Sequence, residues 1–156
     1  MKKLFLVIPL TIGVLAAGLT VNAADKDPLE KAIKARQAVM VLRAWNAGPL
    51  FAMAKGDIDY DAEVATTHAN NLKAEFGMNN GAMWVEGTDA VDYPDLSRSL
   101  PEIWTTYPAV AEAGTQYKDA VNALADNAGG GLDALRSVIG DLGKSCKGCH
   151  DDFRTE

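Results

Sequence analysis

Two cysteines and two histidines are all that the 156-residue chain offers in those residue types. So few cysteines exclude a disulfide-stapled fold. The four residues together would just suffice for one tetrahedral zinc site, and their placement argues against it. Basic residues are also in deficit, 15 against 21 acids for a net charge of -6. That balance argues against a nucleic acid as partner. No segment with the two-residue alternation of a half-buried strand stands out. Past the first two dozen residues, no apolar run approaches the roughly 20 residues that a membrane span needs. Low-complexity tracts and internal repeats are absent too.

The one long apolar stretch, Leu4 to Leu19, follows Met1-Lys2-Lys3 and leads to the small-residue site Val21-Asn22-Ala23. A charged start, an apolar middle and a small-residue end make a secretory signal peptide over residues 1–23, cleaved after Ala23. Thr11, Gly13 and Gly18 interrupt the apolar stretch and leave it short for a membrane anchor. The mature chain, residues 24–156, is expected to be a single periplasmic domain with no membrane span. Loss of Lys2 and Lys3 takes its net charge from -6 to -8, a surface that keeps the protein in solution and favours basic partners.

Four amphipathic helices are expected. The first runs from Pro28 to Lys55, with Asp27 as N-cap, Pro28 at the first helical position and Gly56 as the stop. Its apolar face is read as Leu29, Ile33, Met40, Ala44, Ala47 and Phe51, and Pro49 is expected to kink or break it. The second follows Asp59 or Asp61, carries Val64, His68, Leu72 and Phe76 at four-residue spacing, and ends at Gly77. From Met78 to Leu100 the pattern gives way to Gly, Asn, Asp and Pro, the signature of a long irregular connection. Connections of that length are usually functional or specially packed.

The third helix has the clearest repeat. Ile103, Tyr107, Val110, Gly114, Tyr117, Val121 and Leu124 recur at alternating four- and three-residue steps, as in bundle packing. Pro101 suits its first turn, and Pro108 implies a kink or a later start. Asn127 to Gly131 forms a stop and turn. A fourth helix then carries Leu132, Leu135, Ile139, Leu142, Cys146, Cys149 and Phe153. The expected fold is an all-α antiparallel four-helix bundle.

Both cysteines lie in Cys146-Lys147-Gly148-Cys149-His150, the attachment pattern of c-type haem. Helical positions i and i+3 share a face, so both thiols can form thioethers with the two vinyl groups on one porphyrin edge. His150, at i+4 from Cys146, can then turn its imidazole onto the iron as axial ligand. The rival chemistries fit less well. A thioredoxin-like pair needs a strand and a βαβ setting that the pattern lacks. For zinc only His68 remains as a fourth ligand, and a disulfide across one helical turn is sterically poor and leaves His150 unused. One covalently attached haem c is therefore expected. His68 could be imagined as a second axial ligand, but a histidine on an apolar helix face is more often packed or surface-tipped.

Beyond that pentapeptide, Arg36-Gln37-Ala38-Val39-Met40, Trp45-Asn46, Gly87-Thr88, Pro101-Glu102-Ile103-Trp104, Gly140-Asp141-Leu142-Gly143 and Phe153-Arg154 span the mature chain. In these segments it resembles cytochrome c′, the class II, four-helix-bundle family of c-type cytochromes. The resemblance implies a role for each matching position. Arg36 would lie near a haem propionate and Arg154 beside the proximal pocket. Met40 would face the iron opposite His150, and Trp84 would line the same distal cavity.

The resemblance also implies a function. It suggests a five-coordinate haem that binds small neutral gases, nitric oxide or carbon monoxide, and moves electrons to or from a redox partner not named by the sequence. A homodimer is implied as well, built on the first two helices through residues such as Val41, Leu42 and Ala65. The alternative within haem proteins is a low-spin electron carrier like cytochrome c-556, with Met40 as sixth ligand. A haem peroxidase would need a distal acid/base pair, and only His68 could supply an imidazole for it. The expectation is a binding and electron-transfer protein, not an enzyme.

Overall fold

The structure, a computed structural model, describes residues 27–156. The expected signal peptide, its cleavage site after Ala23 and the first residues of the mature chain lie outside the described residues. Within them the order is α1 (Pro28–Lys55), α2 (Ala62–Ala74), 3-10 turns at Glu75–Gly77 and Asn80–Met83, the single turn α3 (Glu102–Thr105), α4 (Tyr107–Asn127) and α5 (Leu132–Phe153). The only extended pairing among the described residues is an isolated bridge between Ser99 and Arg154.

Local chemistry sets the ends of α1. The Asp27 carboxylate accepts from the Leu29 amide at 2.9 Å, satisfying a donor that the first turn leaves free. At the other end Gly56 takes φ 85°, which a residue with a Cβ resists. Its amide and that of Asp57 return to Ala52 at 3.0 and 2.9 Å, closing the last turn. Pro49 does not break the helix as expected. Burial of Leu50 and Met53 just beyond it offsets the roughly 3 kcal/mol that an interior proline costs. Pro108 resolves the ambiguity at the third helix. Thr106 leaves helical geometry, and α4 starts afresh with Pro108 in its first turn, where the missing N–H costs nothing.

The bundle consists of α1, α2, α4 and α5. Helix α1 packs on α2 and α5, and α4 packs on α2 and α5, so the four form a ring. Short turns join α1 to α2 and α4 to α5, which makes each pair antiparallel. Tyr60 ties the two turns together: its hydroxyl donates to the Ala128 carbonyl at 2.8 Å and accepts from the Gly131 amide at 3.0 Å. At the core, Leu50, Leu72, Leu124, Leu135 and Leu142 are fully buried with Val121, Ala65 and Ala69. Each leucine contributes about 1.5–3 kcal/mol through its burial.

Two expected faces are rotated by about one residue. On α2 the inward set is Ala65, Ala69 and Leu72, with Phe76 half-buried after it, while Val64 is exposed. Ala65 therefore fills the core and cannot meet a partner. On α1 the buried set is Ile33, Arg36, Val39, Asn46, Leu50 and Met53. Ala44, expected inside, is exposed, as are Val41, Leu42 and Trp45. Tyr107 is exposed as well, because α4 has barely begun there.

The long connection between α2 and α4 is fastened near its C-terminal end. The Leu100 amide donates to the Phe153 carbonyl and the Thr155 amide to the Arg98 carbonyl, each at 2.9 Å. These bonds strap the connection to the end of α5, beside the haem-binding pentapeptide.

Candidate haem site

Helix α5 presents Cys146, Cys149 and His150 on one side, all three half-buried and both thiols free. Cys146 packs against the core that includes Tyr117, Leu142 and Ile139. Burial raises the pKa of both thiols, with the Arg43 guanidinium pulling each the other way. Burial also lowers the pKa of His150, and the positive charges of Arg154, Arg43 and Arg98 lower it further. Both effects favour the neutral imidazole, the form whose lone pair can bind a metal.

Arg43 and its partner are the residues that sequence reasoning missed. The Arg43 guanidinium donates from Nε to both Glu75 carboxylate oxygens at 2.9 Å, and Nη2 donates to the same group. It lies 4.3 Å from the Tyr117 ring centre, a cation–π distance. Burial is the largest single influence and lowers its pKa, but the bond to Glu75 and the charges of Tyr117, Glu75 and Cys146 together outweigh it, and the pKa is raised. Glu75 is buried and also accepts from Asn80 Nδ2 at 3.1 Å. The Tyr117 hydroxyl, in a residue only 8 % exposed, has no hydrogen-bond partner, and neither has the buried Oδ1 of Asn80. The register of α1 could have revealed Arg43, which lies seven residues after Arg36 and three after Met40.

Met40 is half-buried, and its sulfur receives Nη1 of Arg43 at 3.7 Å. Arg36 is 4 % exposed and organises the connection. It donates to the Thr88 hydroxyl at 2.6 Å, to the Ser97 hydroxyl at 2.8 Å and to the Thr88 carbonyl. Trp84 and Trp104 flank the guanidinium, with ring centres 5.3 and 5.9 Å away, and the Trp104 indole donates to the Trp84 carbonyl at 3.0 Å. The structure thus brings Trp84 to Arg36, while Met40 goes with Arg43. Arg154 follows α5, its amide closing on the His150 carbonyl at 3.1 Å. With His150, Asp151, Thr155 and Glu156 it lines a cavity of about 210 Å³. His68 stands elsewhere: its Nδ1 meets Asn46 Oδ1 at 3.0 Å, and Asn71 donates to that same oxygen.

These residues fit a haem. Two thiols and an imidazole share one helix face, and Tyr117, which packs in the same cluster as Cys146, carries a buried hydroxyl that the protein itself leaves unpaired. No group of three or more His, Cys, Asp or Glu side chains that could hold a metal ion occurs among the described residues.

The family described as cytochrome C' matches residues 31–154. A cytochrome c' from Halomonas halodenitrificans is 38 % identical over 132 residues, covering 81 % of this chain and 98 % of that protein. Among solved structures, a cytochrome c' from Rhodobacter Spheriodes superposes with a TM-score of 0.80 at 35 % identity, over 83 % of this chain and 99 % of that one. A cytochrome c prime from Alcaligenes xylosoxidans, a ferrous variant with bound NO, superposes with a TM-score of 0.71 at 30 % identity, over 82 % and 97 % of the two chains.

Proposed function

The chain belongs to the cytochrome c′ family and is a c-type cytochrome, a haem protein; from that premise we propose that it is an exported, periplasmic protein whose single covalent haem binds small neutral gases and passes electrons. The observation that carries the reading is the shared helix face of Cys146, Cys149 and His150, all three half-buried. Cys146 and Cys149 would hold the group by thioethers, and His150 would bind its iron. Bound there, haem would supply an iron able to take a small gas and a one-electron couple.

The surrounding residues shape access to that position. Met40 fills the apolar side, as a flexible thioether does well. Its sulfur already receives an N–H of Arg43, which supports a shielding role over ligation. Arg36 and Trp84 hold the connection as a wall, with Arg36 the candidate partner of a propionate if its bonds to Thr88 or Ser97 are exchanged. Burial first, and then the positive charge of Arg154 beside it, lower the pKa of His150 and favour the unprotonated imidazole. The protein would bind and transfer without turning over a substrate. The engagement of His68 with Asn46 leaves a peroxidase without its distal imidazole. Binding of NO by the Alcaligenes protein supports the gas reading for this chain.

Absorption spectra of both redox states, with and without carbon monoxide, test this. The expected result is high-spin iron in both states, a ferrous carbon monoxide complex, and faster carbon monoxide entry in Met40→Ala with the resting spectrum unchanged. A low-spin resting spectrum with a sulfur-to-iron charge-transfer band, lost in Met40→Ala, would establish the electron carrier instead.

A further inference from the structure

We propose that Arg43, held between Glu75 and Tyr117, raises the reduction potential of the haem, and that the balance of charge between Arg43 and Glu75 is what sets that potential in this chain. The inference rests on the haem reading above and deepens its electron-transfer part. The step concerned is the entry of one electron from a donor protein: ferric iron becomes ferrous, the haem loses one positive charge, and no bond is made or broken. A positive charge fixed nearby favours the reduced form, because that form carries less positive charge to repel it.

Three elements hold such a charge in place. On α1, Nε of Arg43 donates to both Glu75 oxygens at 2.9 Å and Nη2 donates to the same carboxylate, to which Asn80 Nδ2 also donates at 3.1 Å. Glu75 lies in the turn after α2, and from α4 the Tyr117 ring centre stands 4.3 Å from the guanidinium. Tyr117 packs in the same cluster as Cys146. The Arg43 charge acts on Cys146, Cys149 and His150 alike, so the positive member of the pair reaches every residue that would hold the haem. Thioethers would join the two sulfurs directly to the porphyrin, and the His150 imidazole would join the iron, so a charge felt at those atoms is felt by the haem.

Other cations stand near the same helix end but in water. Arg98 and Arg154 also act on His150, yet both are exposed, and Lys144 and Lys147 are exposed and paired with Asp141 and Asp151. Solvent and salt screen such charges. The Arg43 side chain is 26 % exposed and its partner 8 %, so their field is carried through protein. A pair of this kind adds little to stability, since desolvation of both charges commonly cancels their attraction. Its effect on the electron follows from its position. Glu75 fixes the guanidinium and offsets part of its charge, so removing each member should move the potential in opposite directions.

The test is a potentiometric titration of the haem-loaded protein at neutral pH. Removing Arg43 alone would strand the Glu75 carboxylate, so one variant is the pair Arg43→Met with Glu75→Gln, and Glu75→Gln and Arg43→Lys are measured beside it. The expected result for the pair variant is a fall of about tenfold in the reduction equilibrium, a midpoint lower by about 59 mV for one electron. Glu75→Gln alone should raise the midpoint, because the guanidinium loses its counter-charge. Arg43→Lys should give a smaller fall, because it keeps the charge and loses the fork that binds Glu75. Where the pair variant does not load haem, the rise in Glu75→Gln decides by itself. Equal midpoints in all four proteins, or a fall in Glu75→Gln, overturn the role of the pair and leave the haem reading standing, since the titration itself has then shown a haem. A wild-type protein that carries no covalent haem overturns both.

Discussion

Asp27 serves two partners at the start of α1. One carboxylate oxygen caps the helix by accepting from the Leu29 amide, and the other accepts from the Tyr93 hydroxyl at 2.7 Å. The second bond pins the connection to the end of α1 across 66 residues of sequence. It lowers the pKa of Asp27, with the Leu29 amide helping, and pushes that of Tyr93 up to about 12. The signs give two separate pH limits. The depressed carboxyl contributes stability above its ordinary value of 3.8, and that contribution is lost as pH falls through its folded value. The raised phenol contributes stability below its ordinary 10.0, and that is lost as pH rises through about 12. Thermal unfolding of wild type and Tyr93→Phe as a function of pH should therefore give midpoints that differ most in the middle range and converge at both extremes. A difference that stays constant from acid to alkali would show that the bond carries no such linkage.

At the scale of whole elements, the legible parts of the chain were those punctuated by chemistry. Asp27, Pro28 and Gly56 delimit α1, and Asn127 to Gly131 separates α4 from α5, because caps and left-handed glycines are local devices. The haem pentapeptide was legible for the same reason: its meaning lies in the spacing of Cys146, Cys149 and His150. Faces were harder to read. Helix α1 carries Val41, Leu42 and Trp45 outside and Arg36, Arg43 and Asn46 inside or half-inside, so apolar periodicity could not distinguish its two sides. That inversion hid the pair of Arg43 and Glu75, which sequence patterning would assign to a solvated surface. The same limit rotated α2, where small Ala65 and Ala69 pack inward while the larger Val64 faces out. The start of α4 stayed ambiguous because Pro101 and Pro108 are both suited to a first helical turn, and only the break at Thr106 decides between them.

On the scale of the whole molecule, the outer faces of α1 and α2 leave an apolar surface. Val41, Leu42 and Trp45 are 67, 55 and 71 % exposed, with Ile58 and Val64 also exposed nearby in sequence. An exposed patch of this kind commonly marks an interface, and two-fold pairing is the commonest solution. The proposed homodimer uses Val41 and Leu42 as expected, with Trp45 in place of Ala65, which the core occupies. Light scattering should give twice the chain mass for wild type and the single mass for Trp45→Glu. A single mass for wild type would reject the dimer.

The central claim for the molecule is that one haem is bonded to the polypeptide through both Cys146 and Cys149. Mass spectrometry of the denatured, acid-acetone-extracted protein tests it most directly. The account predicts a polypeptide carrying the mass of one haem, reduced to the bare chain when both cysteines are replaced by Ala. A bare chain recovered from the unmodified haem-loaded protein, with free haem in the extract, would contradict it.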